Sequence, residues 1–121
     1  LHLITLIAPT TPTPRIRQIA SQSTGFLYCI AMKGTTGTTS GLQSGVTDYV
    51  NRVRSVTSLP IALGFGISKP EHVKEVTATG ADAVVVGSSL IKLIEETLTA
   101  RGDLEKTVGD YVRSLAAELK R

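Results

Sequence analysis

Short runs of unbroken apolar residues alternate along this chain with stretches in which apolar residues recur every three or four positions. The first pattern belongs to a strand buried in a parallel sheet, the second to a helix with one face turned inward. Leu3 to Ala8 is the first strand-like run, and Pro9 ends it because proline cannot continue a central strand. Thr13-Pro14 then predicts a helix start, with Thr13 as cap and Pro14 at the first position. Ile16, Ile19 and Ala20 share its inner face, and Gly25 closes the unit. Phe26 to Ala31 is apolar at every position, which predicts a strand covered on both faces. A helix follows from about Asp48 to Val56, burying Tyr49, Val50, Val53 and Val56. Pro60 to Gly66 is the third strand. Ser68 and Glu71 read as a capping box for a helix that runs through Val73 and Val76 and stops before Gly80. Ala83 to Val86 is the fourth strand, and Gly87-Ser88-Ser89 turns it into the helix Leu90 to Ile94. A last helix starts near Asp103, with Leu104, Val108, Tyr111, Leu115 and Leu119 on one core-facing stripe.

Four strand-helix units in a row predict an α/β domain over residues 1–121, with a parallel sheet and right-handed crossovers. Two architectures meet that description. One is a small open doubly wound sheet. The other is half of a (β/α)8 TIM barrel, since 121 residues are about half of the ~250 typical of that fold. The chain opens at Leu1 inside a strand-like run, with no initiator Met. That favours the half barrel and the expectation that the chain is a piece of something longer.

Composition narrows the function. Hydrophobic residues make up 41% and charged residues 19%, which suits an ordered domain. Aromatics are 4% with no Trp, few for a protein that stacks on bases. The net charge of +3 comes from dispersed basic residues, so no nucleic-acid partner is expected. One cysteine excludes an internal disulfide, and His2 and His72 lie too far apart to form a metal-ligand pattern. His2 reads as a strand-end residue, His72 as a helix-surface residue and Cys29 as a buried small hydrophobe. No apolar run approaches the ~18 residues of a membrane span, and no signal segment is evident, so a cytoplasmic location is expected.

Ligand sites in parallel α/β folds lie where strands end and helices begin. Here those places are rich in glycine: Gly34-Thr35-Thr36-Gly37, Gly64-Phe65-Gly66-Ile67-Ser68 and Gly87-Ser88-Ser89. Glycine lets backbone N–H groups come close to a ligand, and a helix N-terminus adds partial positive charge. The last two clusters are expected to be spatial neighbours and to form a phosphate cradle without Lys or Arg. The twelve residues from Gly34 to Gly45 hold four Gly, four Thr and two Ser, and read as a linker or as a mobile loop over a site. Tyr28 either fills the core or lines the barrel interior. Asp48, Glu71, Asp82, Glu95 and Glu96 fall on helices or flanking turns, so no general acid or base is expected at a strand end.

These motifs resemble the tryptophan synthase α subunit family. Gly25 to Gly37 is similar to its sixth strand and following loop, and Leu63 to Ser68 to its seventh strand end. Val86 to Ile91 is similar to its eighth strand end, and Leu6 to Thr10 to the end of its fifth. The match runs along essentially the whole chain. Gly34-Thr35-Thr36-Gly37 departs from the family's more usual Gly-Val-Thr-Gly but keeps Thr36. The resemblance implies the C-terminal half of a (β/α)8 barrel. It implies aldol-type cleavage of indole-3-glycerol phosphate to indole and glyceraldehyde 3-phosphate, a step of tryptophan biosynthesis. Gly37, Gly66, Gly87 and Ser88 would hold the substrate phosphate, Tyr28 and Phe65 would line the indole pocket, and Thr36 would order the loop. It also implies a β-subunit partner, which carries pyridoxal phosphate, in an α2β2 complex. No cofactor or metal is expected in this chain. The family's catalytic Glu and Asp have no counterpart here, so the chain alone is expected to be inactive. Its open edges should make it dimerise, bind a complementary half or aggregate. Two other readings remain: a non-catalytic half barrel that binds a phosphate ligand, and another phosphate-binding barrel enzyme such as an epimerase or a thiazole phosphate synthase.

Overall fold

A computed structural model describes residues 1–31, 45–64 and 66–119. Along them run β1 (Thr5–Ile7), α1 (Thr13–Gln22), β2 (Leu27–Ile30), α2 (Val46–Arg54), β3 (Ile61–Gly64), α3 (Pro70–Ala78), β4 (Ala83–Val85), α4 (Ser88–Thr99) and α5 (Leu104–Ala116). The sheet is parallel throughout and its order is β1-β2-β3-β4. A doubly wound sheet reverses its strand order at a switch point. This one never does, so successive crossovers go the same way, the helices collect on one face, and the sheet curls toward the other. The chain is four consecutive units of a (β/α)8 barrel.

Strand residues alternate between the two faces. Leu27 pairs in register with Ile61, and Cys29 with Leu63. These four, with Ile7, pack against Ile16, Val50, Val53, Val73 and Val76 of the helices to form the core. Leu6, Tyr28 and Ile30 lie on the opposite, inner face, where Leu6 is 56% and Ile30 36% exposed. The expectation that β2 is covered on both faces is therefore corrected. Helices cover one side only, and four strands do not curl far enough to close over the other.

Local chemistry moved several boundaries. The strands are shorter than their apolar runs because the ladder ends before the hydrophobic pattern does. Pro12, not Thr13, is the N-cap of α1, which places Thr13 inside the first turn. Lys69, not Ser68, is the N-cap of α3, and no side chain caps it, so the capping box does not form. Instead the Ser68 N–H donates to His72 Nδ1 at 3.2 Å. His72 is accordingly buried, not on the helix surface as the sequence suggested. α4 begins at Ser88, two residues before Leu90, and runs to Thr99. α5 starts next to Asp103 as expected, and Asp103 is its N-cap, accepting from the Lys106 N–H at 2.9 Å. Gly80, just past α3, has φ +89, a left-handed conformation that side chains rarely adopt.

Asp82 staples the strand starts. Its carboxylate accepts from the Ile61 N–H at 2.8 Å and from Arg54 of α2 at 2.5 Å. Partial burial works against its charge, but the Ile61 N–H and the Arg54 guanidinium outweigh that and hold the carboxyl below the usual carboxylate range. A lowered folded-state value means stabilisation that is full above the unfolded value of about 3.9 and lost as pH falls through the folded one. Asp82→Asn is expected to flatten this acid limb of the stability profile, seen as urea midpoints between about pH 5 and pH 2. The effect should stay under about 1 kcal/mol, because the pair is half exposed. An unchanged acid limb in the variant would contradict the assignment.

Candidate functional site

At the other end of the sheet, α2 holds the end of β1. Tyr49 is buried and its hydroxyl donates to the Ile7 carbonyl at 2.8 Å. Arg52 donates to the carbonyls of Pro9 at 2.7 Å and Thr11 at 3.0 Å, with its guanidinium 5.9 Å from the Tyr49 ring centroid. The loop after β1 is thus fixed from one helix face. Cys29 is fully buried beside Tyr49. Burial pushes its thiol up, against the weaker opposing influence of the Tyr49 hydroxyl and Arg54. It stays a protonated core side chain and not a nucleophile.

Tyr28 lies half-buried on the inner face and reaches across to β3. A Cβ placed on Gly64 would sit 2.3 Å from the Tyr28 hydroxyl oxygen and 2.7 Å from Cζ. Only glycine leaves room for the ring there. Tyr28 therefore closes over the last residue of β3, close to where the Gly66 turn leaves the sheet.

The two later glycine turns meet. Ser89, in the first turn of α4, donates its hydroxyl to the Ile67 carbonyl at 2.5 Å. Tyr111 of α5 donates to Ser89 Oγ at 3.0 Å and lies 3.3 Å from the Ser68 carbonyl. Gly87 is the N-cap of α4, and no side chain caps that helix. Its carbonyl accepts from the Leu90 N–H at 2.9 Å and the Ile91 N–H at 3.2 Å. The Ser88 and Ser89 N–H groups precede the first donors of the helix, so helical bonding does not use them. Gly66, Gly87 and Ser88 are all exposed, and a Cβ on Gly87 would meet nothing within 4 Å. Open space, unused amides and the positive end of a helix dipole together favour an anion.

Of the residues singled out from sequence, the structure brings Gly66, Gly87 and Ser88 to one end of the sheet and puts Tyr28 over Gly64. Thr36, Gly37, Phe65 and most of the 34–45 loop lie outside the described residues. Asp48, Glu71, Glu95 and Glu96 are exposed on helices, and Asp82 is at the opposite end of the strands. Among the described residues no cluster of His, Cys, Asp and Glu could hold a metal, and no helix is long and apolar enough to cross a membrane. Sequence reasoning gave no site role to Arg52, His72 or Tyr111, and it named Ser89 in the Gly87-Ser88-Ser89 cluster without its bond to Ile67. Only Tyr111 carried a signal: a phenol on a core-facing stripe needs a partner for its hydroxyl.

Comparison with known proteins agrees with this arrangement. The family model described as tryptophan synthase alpha chain matches residues 1–120. A tryptophan synthase alpha chain from Desulfatibacillum aliphaticivorans is 48% identical over 114 residues, covering 94% of this chain and 42% of the relative. One from Arabidopsis thaliana is 40% identical over 119 residues, covering 98% and 43%. Among solved structures, a mutant tryptophan synthase alpha-subunit from Pyrococcus furiosus superposes with a TM-score of 0.76 at 35% identity, over 94% of this chain and 44% of that one. A tryptophan synthase complex from the same organism gives 0.78 at 30% identity, over 97% and 44%. The chain thus spans less than half the length of the relatives it matches. Sequential parallel strands, glycine turns meeting at the head of α4 and a family match along almost every residue point one way: the chain belongs to the tryptophan synthase alpha chain family.

Proposed function

We propose that this chain supplies the phosphate- and indole-binding half of a tryptophan synthase α-type lyase. The reaction is aldol-type cleavage of indole-3-glycerol phosphate. The bond between indole C3 and the glycerol chain breaks, a proton is delivered to C3, and the neighbouring hydroxyl gives up its proton to become the aldehyde of glyceraldehyde 3-phosphate. The observation that carries the reading is the meeting of the Gly66 and Gly87 turns at an uncapped helix N-terminus in a chain of this family. In this reading the amides of Gly37, Gly66, Gly87 and Ser88 hold the phosphate, Tyr28 and Phe65 border the indole, and Thr36 orders the loop. In this reading the carboxylates that move the protons come from outside this chain, whose described acids lie on helices or flanking turns and none on a strand. The partner is a β subunit in an α2β2 assembly, and likeness to a tryptophan synthase complex supports it. Pyridoxal phosphate belongs to that subunit and no cofactor to this chain. Both substrate and products are diffusible metabolites, which fits a cytoplasmic location.

The test compares two ligands on the purified chain. Glycerol phosphate and an indole-bearing alkyl phosphate are titrated while the backbone amides are followed by NMR. Both should shift Gly66, Gly87 and Ser88, and the indole compound should bind about tenfold more tightly or better through its ring. No indole should be released from indole-3-glycerol phosphate by this chain alone. Equal affinities would reduce the reading to a phosphate-binding half barrel. Unmoved amides would overturn it.

A further inference from the structure

We propose that Ser89 and Tyr111 are positioning residues that hold the two glycine turns at a fixed spacing, so that α5, through its tyrosine, sets the affinity of the phosphate site. The inference rests on the phosphate reading above.

The hydrogen bonds form a directed chain. A serine hydroxyl has one proton, and that of Ser89 goes to the Ile67 carbonyl at 2.5 Å. Its oxygen then accepts from the Tyr111 hydroxyl at 3.0 Å. Ser89 follows Ser88, and Ile67 follows Gly66. The bond between Ser89 and Ile67 therefore ties the immediate neighbours of two amides that would share one phosphate. Ile67 is itself 2% exposed, so the Gly66 side of the tie is anchored in the core. The Ser68 N–H is already taken by His72 Nδ1, which leaves it unavailable to a ligand and pins the turn from below. Donors on two separate turns reach one tetrahedral anion at hydrogen-bond distance only if the turns stay in register. Among the described residues the other side-chain hydrogen-bond link between them is Tyr111 itself, which comes from a helix beyond both, donates to Ser89 Oγ at 3.0 Å and lies 3.3 Å from the Ser68 carbonyl.

A merely structural role would move stability and spare binding, so the experiment reads both. Inorganic phosphate is titrated into the 121-residue chain and into Tyr111→Phe, Ser89→Ala, Ser89→Thr and the Tyr111→Phe/Ser89→Ala double variant. Dissociation constants come from the Gly87 and Ser88 amide shifts, and urea midpoints are taken in parallel. Each of Tyr111→Phe and Ser89→Ala should weaken binding about five- to tenfold, the loss of one hydrogen bond's worth of restraint. The double variant should match Ser89→Ala within about twofold, because the shorter of the two Tyr111 contacts, at 3.0 Å against 3.3 Å to the Ser68 carbonyl, runs through Ser89. Ser89→Thr, which keeps the hydroxyl, should restore most of the affinity. Phe keeps the ring against the hydrophobic core on which Tyr111 packs, so Tyr111→Phe decides the matter even if Ser89→Ala does not fold. Wild-type affinity in Tyr111→Phe, or losses that multiply in the double variant, would overturn the proposal and leave the phosphate reading standing. Unmoved Gly87 and Ser88 amides in the wild-type chain would take down both.

Discussion

Gly87→Asp is expected to abolish phosphate binding while leaving the chain as stable as before, or slightly more so. The two effects share one cause. Gly87 is the N-cap of α4, and no side chain now caps that helix. Aspartate is among the best N-cap residues, and its carboxylate accepts from the N–H of Ser89 or Leu90, beside the Gly87 and Ser88 amides that a phosphate needs. A Cβ there meets nothing within 4 Å, so packing does not oppose the change. Helix capping should gain a few tenths of a kcal/mol over glycine. The carboxylate occupies the space in front of the Gly87 and Ser88 amides, and a fixed negative charge faces an incoming anion. Losing two charge-assisted bonds at about 1.5 kcal/mol each already predicts at least about 100-fold weaker binding, before repulsion is counted. Phosphate titration and urea unfolding of the same preparation check both halves. Affinity within about threefold of wild type would place the anion elsewhere. A large fall in stability would mean that Gly87 serves the fold.

Leu63→Ala is expected to cost about 3 kcal/mol, the largest stability loss among the changes considered. Leu63 is fully buried on the helix-covered face of β3, in register between Cys29 and Val84. Truncation removes its transfer energy and leaves a cavity that the close-packed strands and helices cannot fill. Ile30→Ala is the control. Ile30 is an aliphatic residue in the neighbouring strand, but it is 36% exposed on the inner face. It should cost about 1 kcal/mol or less, since little burial is lost. Equal shifts in urea midpoint for the two variants would contradict the assignment of inner and outer faces.

Much of this was legible in the sequence. Period-three-to-four spacing at Tyr49, Val50 and Val53 and the unbroken run through β2 placed those elements, because burial is written into which positions are apolar. Gly66 and Gly87-Ser88 stand out in the sequence because strand-to-helix turns have a restricted composition. What stayed hidden was chosen by tertiary geometry. Ser68 with Glu71 has the spacing of a capping box, yet a histidine one turn into α3 took the Ser68 amide first. His72 then had to be buried, against its usual preference for the surface. Arg52 gave no sign of its two carbonyl partners, since a lone arginine on a helix reads as solvated. β2 looked doubly covered because the apolar pattern encodes a closed barrel, while four strands leave the inner face open.

The strict strand order bears on how such a chain acquires its shape. Among the described residues no strand pairs with anything but its predecessor and its successor along the chain. Each new β/α unit can therefore dock on a template already made, in the order in which a ribosome releases it, without waiting for distant segments to meet. Among the described strands β1 and β4 each have one neighbour, and each keeps exposed or half-buried residues.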